Sequence, residues 1–184
     1  MAMQLVIQIF ALIILFAFFL FLFFQFYNIM FRGFAPFIST KGKIVKRIVD
    51  EMEIDENATV YEFGCGRAGF LRALRKKYQK ANLIGVEYSL LPYIVARVQA
   101  SLCKSGMPEI RILKKNFFKV DIHDADVIYC YLNIKTMTEL EHKFKRECRK
   151  GAQIISFAFR LPNMEAEKEI SVEGIKEKVY FYRV

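Results

Sequence analysis

The stretch that decides the fold is Tyr61-Glu62-Phe63-Gly64-Cys65-Gly66-Arg67-Ala68-Gly69. A strand-like run leads into it from residue 58, and a helix-like run follows at residues 68–80. Glycines let backbone N–H groups approach a ligand closely, and the N-terminus of a helix favours polar or anionic ligand groups. The stretch therefore predicts a nucleotide-type cradle made of a strand, a glycine turn and a helix.

The rest of the chain after residue 42 alternates between strand-like and helix-like runs. An amphipathic helix is predicted at residues 43–54, with further helices at 89–104 and 134–150, strands at 82–87, 110–113, 126–131 and 152–159, and a hairpin at 170–184. Repeated strand–helix units predict an α/β fold with a doubly wound, mainly parallel, Rossmann-like sheet. Ligands bind such sheets at the carboxyl ends of the strands, where the glycine turn, Glu87, Asn116 and Tyr131 all fall.

The N-terminal segment differs sharply from the rest. Residues 1–30 carry no charge, and residues 5–24 are almost all apolar, which is long enough for a transmembrane helix. It lacks the basic region and the small-residue cleavage site of a secretory signal. The basic residues that follow are Arg32, Lys41, Lys43, Lys46 and Arg47, so the positive-inside rule places the remainder on the cytoplasmic or matrix-equivalent side. We expect an anchor at 1–32, a connecting segment and helix at 33–57, and a ligand-binding core at 58–184.

The net charge of +9 lies wholly after residue 30. It suits attraction to anionic lipid headgroups of a bilayer. Nucleic acid is not an expected partner, because the basic residues are dispersed and no aromatic platform interleaves them. The four cysteines form no C-x-x-C pair, and the two histidines are isolated, so neither a metal site nor a disulfide framework is expected.

Two carboxylates decide between cofactors. Read literally, residues 64–69 match the G-x-G-x-x-G pattern of dinucleotide sites, but Glu62 stands where those sites have an apolar residue, and little chain remains for a second mononucleotide half. Glu87 follows the second strand, where an acid can hold a ribose hydroxyl pair. E-x-G-x-G followed by such an acid resembles class I S-adenosylmethionine methyltransferases. The resemblance implies S-adenosylmethionine as cofactor, held by Glu62, Gly64, Cys65, Gly66, Glu87, Asn116 and Phe117.

A narrower family shares more of the chain. The N-terminal apolar helix, the segment Ala35-Pro36-Phe37-Ile38-Ser39-Thr40, the run Tyr129-Cys130-Tyr131-Leu132 and the run Ser156-Phe157-Ala158-Phe159-Arg160-Leu161-Pro162 occur in this order. This set resembles the membrane-anchored protein-lysine N-methyltransferases that act on the ATP synthase c-subunit and the adenine nucleotide translocase. The resemblance implies a membrane-embedded or membrane-associated protein as acceptor.

The acceptor slot is predicted beside the cofactor, at the end of the fourth strand. Tyr131 and Asn133 are the candidate catalytic residues, since a phenol and a carbonyl can orient an amine, and no general base is assigned. Phe37, Tyr131 and Leu132 are the candidate substrate-binding residues. Methyl transfer to a small molecule or lipid, and a non-catalytic membrane scaffold of the same fold, are the alternatives.

Overall fold

The computed structural model describes residues 2–32, 40–103 and 106–184, in two compact units, Met1–Pro36 and Phe37–Val184. The first unit contains one helix, α1 (Ala2–Arg32), and its part Met3–Tyr27 is long and apolar enough to cross a membrane. These 25 residues would extend about 37 Å as a helix, against about 30 Å of bilayer hydrocarbon. None of this part is buried, in contrast to the core helix of a soluble protein.

The second unit is an α/β sheet with helices on both faces. Its elements are α2 (Gly42–Glu51), β1 (Thr59–Phe63), α3 (Gly69–Lys77), β2 (Asn82–Glu87), α4 (Leu90–Ser101), β3 (Arg111–Lys114), a 3-10 helix (Phe117–Lys119), β4 (Val127–Cys130), α5 (Ile134–Glu147), β5 (Gln153–Phe157), β6 (Lys168–Ser171) and β7 (Lys178–Arg183). The strand order is β3-β2-β1-β4-β5-β7-β6, parallel through β5 and antiparallel for the last two. The predicted doubly wound sheet and terminal hairpin are confirmed.

The sheet separates two hydrophobic cores. Residues of α2, α3 and α4 pack on one face, and α5 covers the other. Neighbouring residues of β4 alternate between them, with Tyr129 in the first core and Ile128 in the second. Apolar residues on both sides of a strand are typical of buried parallel sheets, and they explain why the sequence of β4 is a continuous apolar run.

The carboxyl ends of β1 and β4 lie side by side, at the point in the sheet where the order of the strands along the chain reverses direction. The chain passes from β1 outward to β3 and then returns to β4 on the other side of β1. In an open α/β sheet a crevice forms outside the carboxyl ends of the two strands that flank such a reversal. The glycine turn leaves β1 at this point and Tyr131 leaves β4, so the fold brings these two segments together.

Several elements end earlier than the sequence predicts. The predicted strand 152–159 stops at Phe157 because Ala158 takes a positive φ of 74°, which is incompatible with an extended chain. The predicted helix 89–104 ends at Ser101, and the helix 134–150 ends at Glu147. Ser89 occupies the N-cap position of α4, but its side chain makes no capping hydrogen bond.

Candidate active site

The glycine turn after β1 is shaped by positive φ angles. Gly64 and Gly66 have φ of 68° and 53°, and Ala68, at the N-cap of α3, has φ of 52°. The N–H groups of Gly64 and Cys65 both donate to the carbonyl of Val86, at 2.9 and 3.1 Å, which holds the turn against the end of β2. Glycine reaches such angles without steric cost. For Ala68 the angle is sterically unfavourable, and the packing of the surrounding core holds the residue in it.

Close packing around the turn requires two glycines. A Cβ atom on Gly85 would stand 2.8 Å from Sγ of Cys65 and 2.8 Å from Cδ1 of Ile112. A Cβ atom on Gly64 would stand 3.0 Å from Cδ2 of Leu132. Leu132, which follows β4, therefore lies directly against the turn that follows β1. Cys65 is buried, and its side chain packs against the backbone at Gly85.

Glu87 ties the turn to the end of β2. One carboxylate oxygen accepts a hydrogen bond from the N–H of Gly66 at 3.1 Å, and the other accepts from the N–H of Ser89 at 2.9 Å. Burial raises the pKa of Glu87, and these two N–H donors lower it in part. Each carboxylate oxygen has a second lone pair, so the group can still accept hydrogen bonds from a ligand.

Glu62 is a buried carboxyl group whose hydrogen bonding is incomplete. The residue is only 7% exposed, and its Oε2 has no hydrogen-bond partner among the described residues. Burial raises its pKa to about 8, and the negative charge of Glu87 also raises it, while a backbone hydrogen bond from Leu71 lowers it. Buried polar atoms are normally satisfied, so an orphaned oxygen beside a glycine turn indicates a site prepared for a polar or cationic ligand group.

The segment after β3 carries the next two predicted residues. Asn116 caps the 3-10 helix, and its side-chain oxygen accepts the N–H of Phe118 at 3.0 Å. Phe117 is 7% exposed and stacks on Phe63 with ring centroids 5.4 Å apart. Most of the Phe117 ring therefore belongs to the core, while the half-buried Phe118 lies beside it with centroids 4.9 Å apart.

The predicted acceptor residues that follow β4 have different surroundings. The ring of Tyr131 lies 4.7 Å from that of Phe157, and burial followed by the charge of Glu177 raises the pKa of Tyr131. Asn133 is the N-cap of α5, with its side-chain oxygen accepting the N–H of Thr136 at 2.9 Å. The fourth predicted residue, Phe37, lies outside the described residues.

Two neighbours of the site were not anticipated from the sequence. Glu177 lies in the turn between β6 and β7, and only the antiparallel return of β7 beside β5 brings it near Tyr131. Tyr129 is buried with its ring stacked on Phe70 at 4.3 Å, and its hydroxyl shares a 2.9 Å hydrogen bond with Thr40. Strand alternation places Tyr129 on the same face as Tyr131, which is the one signal in the sequence that could have identified it.

A family model for the ANTKMT methyltransferase domain matches residues 62–168, which span the site from Glu62 to the start of β6. The chain belongs to this methyltransferase family. The predicted class I fold and the predicted enzyme class are thereby confirmed, and the dinucleotide alternative is not supported.

Similar proteins agree with this assignment. A protein-lysine N-methyltransferase of Saccharolobus islandicus (strain REY15A) is 27% identical over 150 residues, which are 80% of this chain and 92% of that protein. Among solved structures, an RNA methyltransferase from Salinibacter ruber in complex with S-adenosyl-L-homocysteine superposes with a TM-score of 0.73 at 20% identity, covering 80% of this chain and 94% of that one. A ribosomal protein L11 methylase from Lactobacillus delbrueckii subsp. bulgaricus has a TM-score of 0.59 at 14% identity, covering 75% of each chain.

The residues of the site fit S-adenosylmethionine, the cofactor of class I methyltransferases. Its amino acid part carries an ammonium group, which suits the unpartnered oxygen of Glu62. Its ribose carries two hydroxyls, which suit the carboxylate of Glu87. The turn at Gly64 and Gly66 leaves room for backbone N–H groups to approach a ligand. The chain is therefore an S-adenosylmethionine-dependent methyltransferase.

Proposed function

We propose that this methyltransferase modifies lysine side chains of a membrane-associated protein, and that α1 anchors it in the bilayer with the second unit on the cytoplasmic or matrix-equivalent side. The observation that carries the acceptor class is the position of Tyr131 and Glu177. Leu132 contacts the turn at Gly64, so its neighbour Tyr131 stands at the rim of the cofactor cradle. The ring of Tyr131 lies 4.7 Å from that of Phe157, and Phe157 pairs with Val179, two residues after Glu177, whose charge raises the pKa of Tyr131.

We propose a role for each cofactor residue. Glu62 would hold the ammonium group of the cofactor, Glu87 the ribose hydroxyls, and the backbone at Gly64, Cys65 and Gly66 the amino acid part. Asn116 and Phe117 border the place of the adenine, although the amide oxygen of Asn116 already caps a helical turn. When bound, S-adenosylmethionine supplies an electrophilic methyl group on its sulfonium sulfur.

The remaining task of the chain is to present a neutral amine. The negative charge of Glu177, which acts on Tyr131, attracts a lysine ammonium group. Desolvation against an aromatic wall disfavours the charged form of an amine, so the lysine loses its proton to solvent more readily there. The half-buried ring of Tyr131, which packs on the buried ring of Phe157, offers such a surface. Orientation and desolvation are enough for an in-line attack, and we assign no general base.

A protein acceptor agrees with the surroundings of the slot. The second unit ends its sheet with a short hairpin, and the elements described in residues 40–103 and 106–184 include no inserted domain over the carboxyl edge. The relative from Saccharolobus islandicus is named as a protein-lysine N-methyltransferase. An open edge admits a lysine that projects from a protein surface.

The membrane part of the proposal rests on α1. The candidate span Met3–Tyr27 is followed by basic residues, which favour the side that faces the cytoplasm. Fewer than a dozen residues separate α1 from α2, and an extended chain covers at most about 3.5 Å per residue. The division into an anchor (1–32), a connecting region (33–57) and a catalytic core (58–184) follows this proposal.

Methyl transfer into native membranes tests the proposed acceptor. Full-length protein is incubated with labelled S-adenosylmethionine and with membrane and soluble fractions of the source cells. We expect label in membrane proteins, recovered as methyl-lysine after acid hydrolysis. Glu87→Ala, which is expected to bind the cofactor more weakly, serves as the control at a low concentration of S-adenosylmethionine.

The other acceptor classes predict different distributions of label. Label in the lipid extract would indicate a lipid acceptor, and label mainly in soluble proteins would contradict the membrane acceptor. An absence of transfer into any fraction, with S-adenosylmethionine bound, would favour the scaffold alternative.

A further inference from the structure

Helix α4 exposes an apolar face to solvent. Ala96 and Ala100 are buried against the sheet, whereas on the opposite side Val98 is 56% exposed and Leu102 is 78% exposed. We call this surface the α4 apolar face, and its members are Leu90, Leu91, Ile94, Val95, Val98 and Leu102. At 100° per residue these six positions span one continuous side of the helix.

This arrangement reverses the usual pattern of a surface helix. Such a helix normally turns its apolar stripe toward the core and its polar residues toward water. Here the inward side is made of small alanines, and the larger aliphatic residues point outward. Contiguous exposed apolar patches of this kind mark protein or membrane interaction sites.

Basic residues border the α4 apolar face. Arg97 projects from the helix itself, and Lys114 projects from the adjacent edge strand β3 on the sheet face that α4 covers, as its strand neighbour Ile112 does. Both side chains are exposed, whereas Arg111 lies on the other face and donates to Asn82. The guanidinium of Arg97 lies 5.8 Å from the centre of the Tyr93 ring, at a groove of about 510 Å³ between α4 and β3. Arg111 also lines this groove, and Glu109 is its single acidic lining residue.

We propose that the α4 apolar face lies in the headgroup layer of a bilayer that contains anionic lipids, with Arg97 and Lys114 at the level of the phosphates. An apolar helix face with a basic border is the pattern of an interfacial helix. Protein interfaces instead concentrate their binding energy in Trp, Tyr and Arg, and they use Leu and Val less. The face consists of leucine, isoleucine and valine alone, so lipid is the occupant that it fits.

The contact goes beyond the proposed span, because it belongs to the catalytic unit and does not depend on α1. Leu90 is only three residues from Glu87, so the face begins beside the cofactor cradle. A bilayer against α4 would therefore hold the carboxyl edge of the sheet close to the membrane surface. This orientation suits acceptor lysines at headgroup height.

Tryptophan fluorescence tests the proposal directly, since the chain contains no tryptophan. Full-length Val98→Trp is reconstituted in phosphatidylcholine vesicles with and without phosphatidylglycerol, in both cases with brominated acyl chains as quencher. His142→Trp, at an exposed position of α5, is the matched control. We expect V98W to be quenched about twofold more than H142W in anionic vesicles, because interfacial helices sink about 5–10 Å into the headgroup region. Adding Arg97→Gln and Lys114→Gln, or omitting phosphatidylglycerol, should reduce the difference.

Each other outcome overturns the proposal. Equal quenching of V98W and H142W shows that α4 does not meet lipid. A V98W emission that is protected from aqueous quencher but not reached by bromine, together with a doubled particle mass, shows that a second copy covers the face. If V98W fails to fold by its melting curve, Leu91→Trp replaces it at the other end of the face. Carbonate extraction tests α1 separately, because a protein that spans the bilayer stays in the membrane fraction. Its result does not affect the comparison of V98W with H142W, which is made before extraction.

Discussion

Glu62 destabilises the fold when it is charged, and the same buried carboxyl group can bind a cationic part of a ligand. A carboxyl group at full burial with one unpartnered oxygen destabilises the native state when it is charged, which is why its pKa rises to about 8 from the usual 4.5. A ligand cation would reverse the cost by pairing with the charged form. We infer that the fold without cofactor holds Glu62 mostly protonated at neutral pH.

The first prediction concerns the stability of Glu62→Gln. Between pH 4.5 and about 8 the native carboxyl holds a proton that the unfolded chain has lost, so its contribution to stability is full below pH 4.5 and is lost as pH rises to about 8. Glutamine does not titrate. At pH 9 the variant should therefore be more stable than the wild type, by about 5 kcal/mol. The difference should vanish below pH 4.5.

Urea unfolding at several pH values measures this difference. The same variant should bind S-adenosylmethionine much more weakly, and calorimetry of the wild type in two buffers should show proton release on binding. A stability difference that does not change with pH would contradict the titration of Glu62.

The second prediction concerns Glu87→Ala. The variant should bind S-adenosylmethionine more weakly by about 1.5–3 kcal/mol, the range for hydrogen bonds to a charged group. It should also loosen the glycine turn, since the N–H of Gly66 loses its acceptor. Calorimetry measures the affinity, with Glu109→Ala as the control for an exposed carboxylate. Wild-type binding of NAD as tight as that of S-adenosylmethionine would contradict the cofactor site.

The third prediction concerns Glu177, the carboxylate that is proposed to attract the acceptor lysine. Glu177→Gln should raise KM for a lysine-containing acceptor by about threefold at low salt and leave kcat nearly unchanged, because an exposed charge attracts the ammonium group before reaction. Glu173→Gln, in the same turn, is the control. Steady-state kinetics at two salt concentrations measures both variants. An unchanged KM for Glu177→Gln would remove its role in recognition.

At the scale of elements, α2 is fastened to the core by the end of α3. The Nζ of Lys77 donates to the carbonyls of Val49 and Met52, at 2.8 and 3.0 Å, and the hydroxyl of Tyr78 donates to Met52 at 2.6 Å. These bonds satisfy carbonyls at the C-terminus of α2 that have no partner within the helix. The chain that connects the two units leads into α2. The hydrogen bonds to Lys77 and Tyr78 therefore hold the beginning of the second unit against α3.

The fourth prediction tests this attachment. Lys77→Met keeps much of the aliphatic stem and removes the donor, so it should lower the free energy of unfolding by about 1–2 kcal/mol. Lys76→Met, at an exposed neighbouring position, should change it little. Urea unfolding in detergent micelles measures both. Equal effects of the two substitutions would show that the hydrogen bonds to α2 contribute nothing beyond surface charge.

At the scale of the whole molecule, α1 and the second unit have separate tasks. Under the proposed function α1 supplies effective concentration at the membrane, and the second unit supplies the chemistry. A catalytic unit held near the bilayer meets lysines at headgroup height far more often than lysines of soluble proteins. The α4 apolar face would add orientation to this confinement.

The fifth prediction concerns removal of residues 1–31. The truncated chain should bind S-adenosylmethionine with unchanged affinity, because the site lies wholly in the second unit. Its methylation of the native membrane acceptor should fall by about a hundredfold or more, the lower end of the range expected when a tether is lost. Label transfer into isolated membranes compares the two forms. Equal labelling by both would remove the role proposed for α1, and digestion of the second unit by protease outside intact cells would contradict its side.

The sequence by itself determined the local features of this protein. The uncharged N-terminus, the alternation of strands and helices, the glycine turn and the two carboxylates at residues 62 and 87 can all be recognised because hydrophobic period and glycine chemistry act over a few residues. These features were enough for the fold class, the family and the cofactor. The ends of strands and helices were less well predicted. Ala158 illustrates this for β5, because one unusual φ angle terminates a strand that otherwise has suitable composition.

Only the tertiary structure decided which distant residues meet. The contact of Leu132 with Gly64, the bond from Gly66 to Glu87 and the approach of Glu177 to Tyr131 depend on strand order and register, which no short segment encodes alone. The same holds for α4, where the sequence indicates a helix, but burial of its alanine side is what leaves the larger residues facing outward. The physical reason is that side-chain burial is settled by competition among all elements for one core, after the local periodicities have already been satisfied.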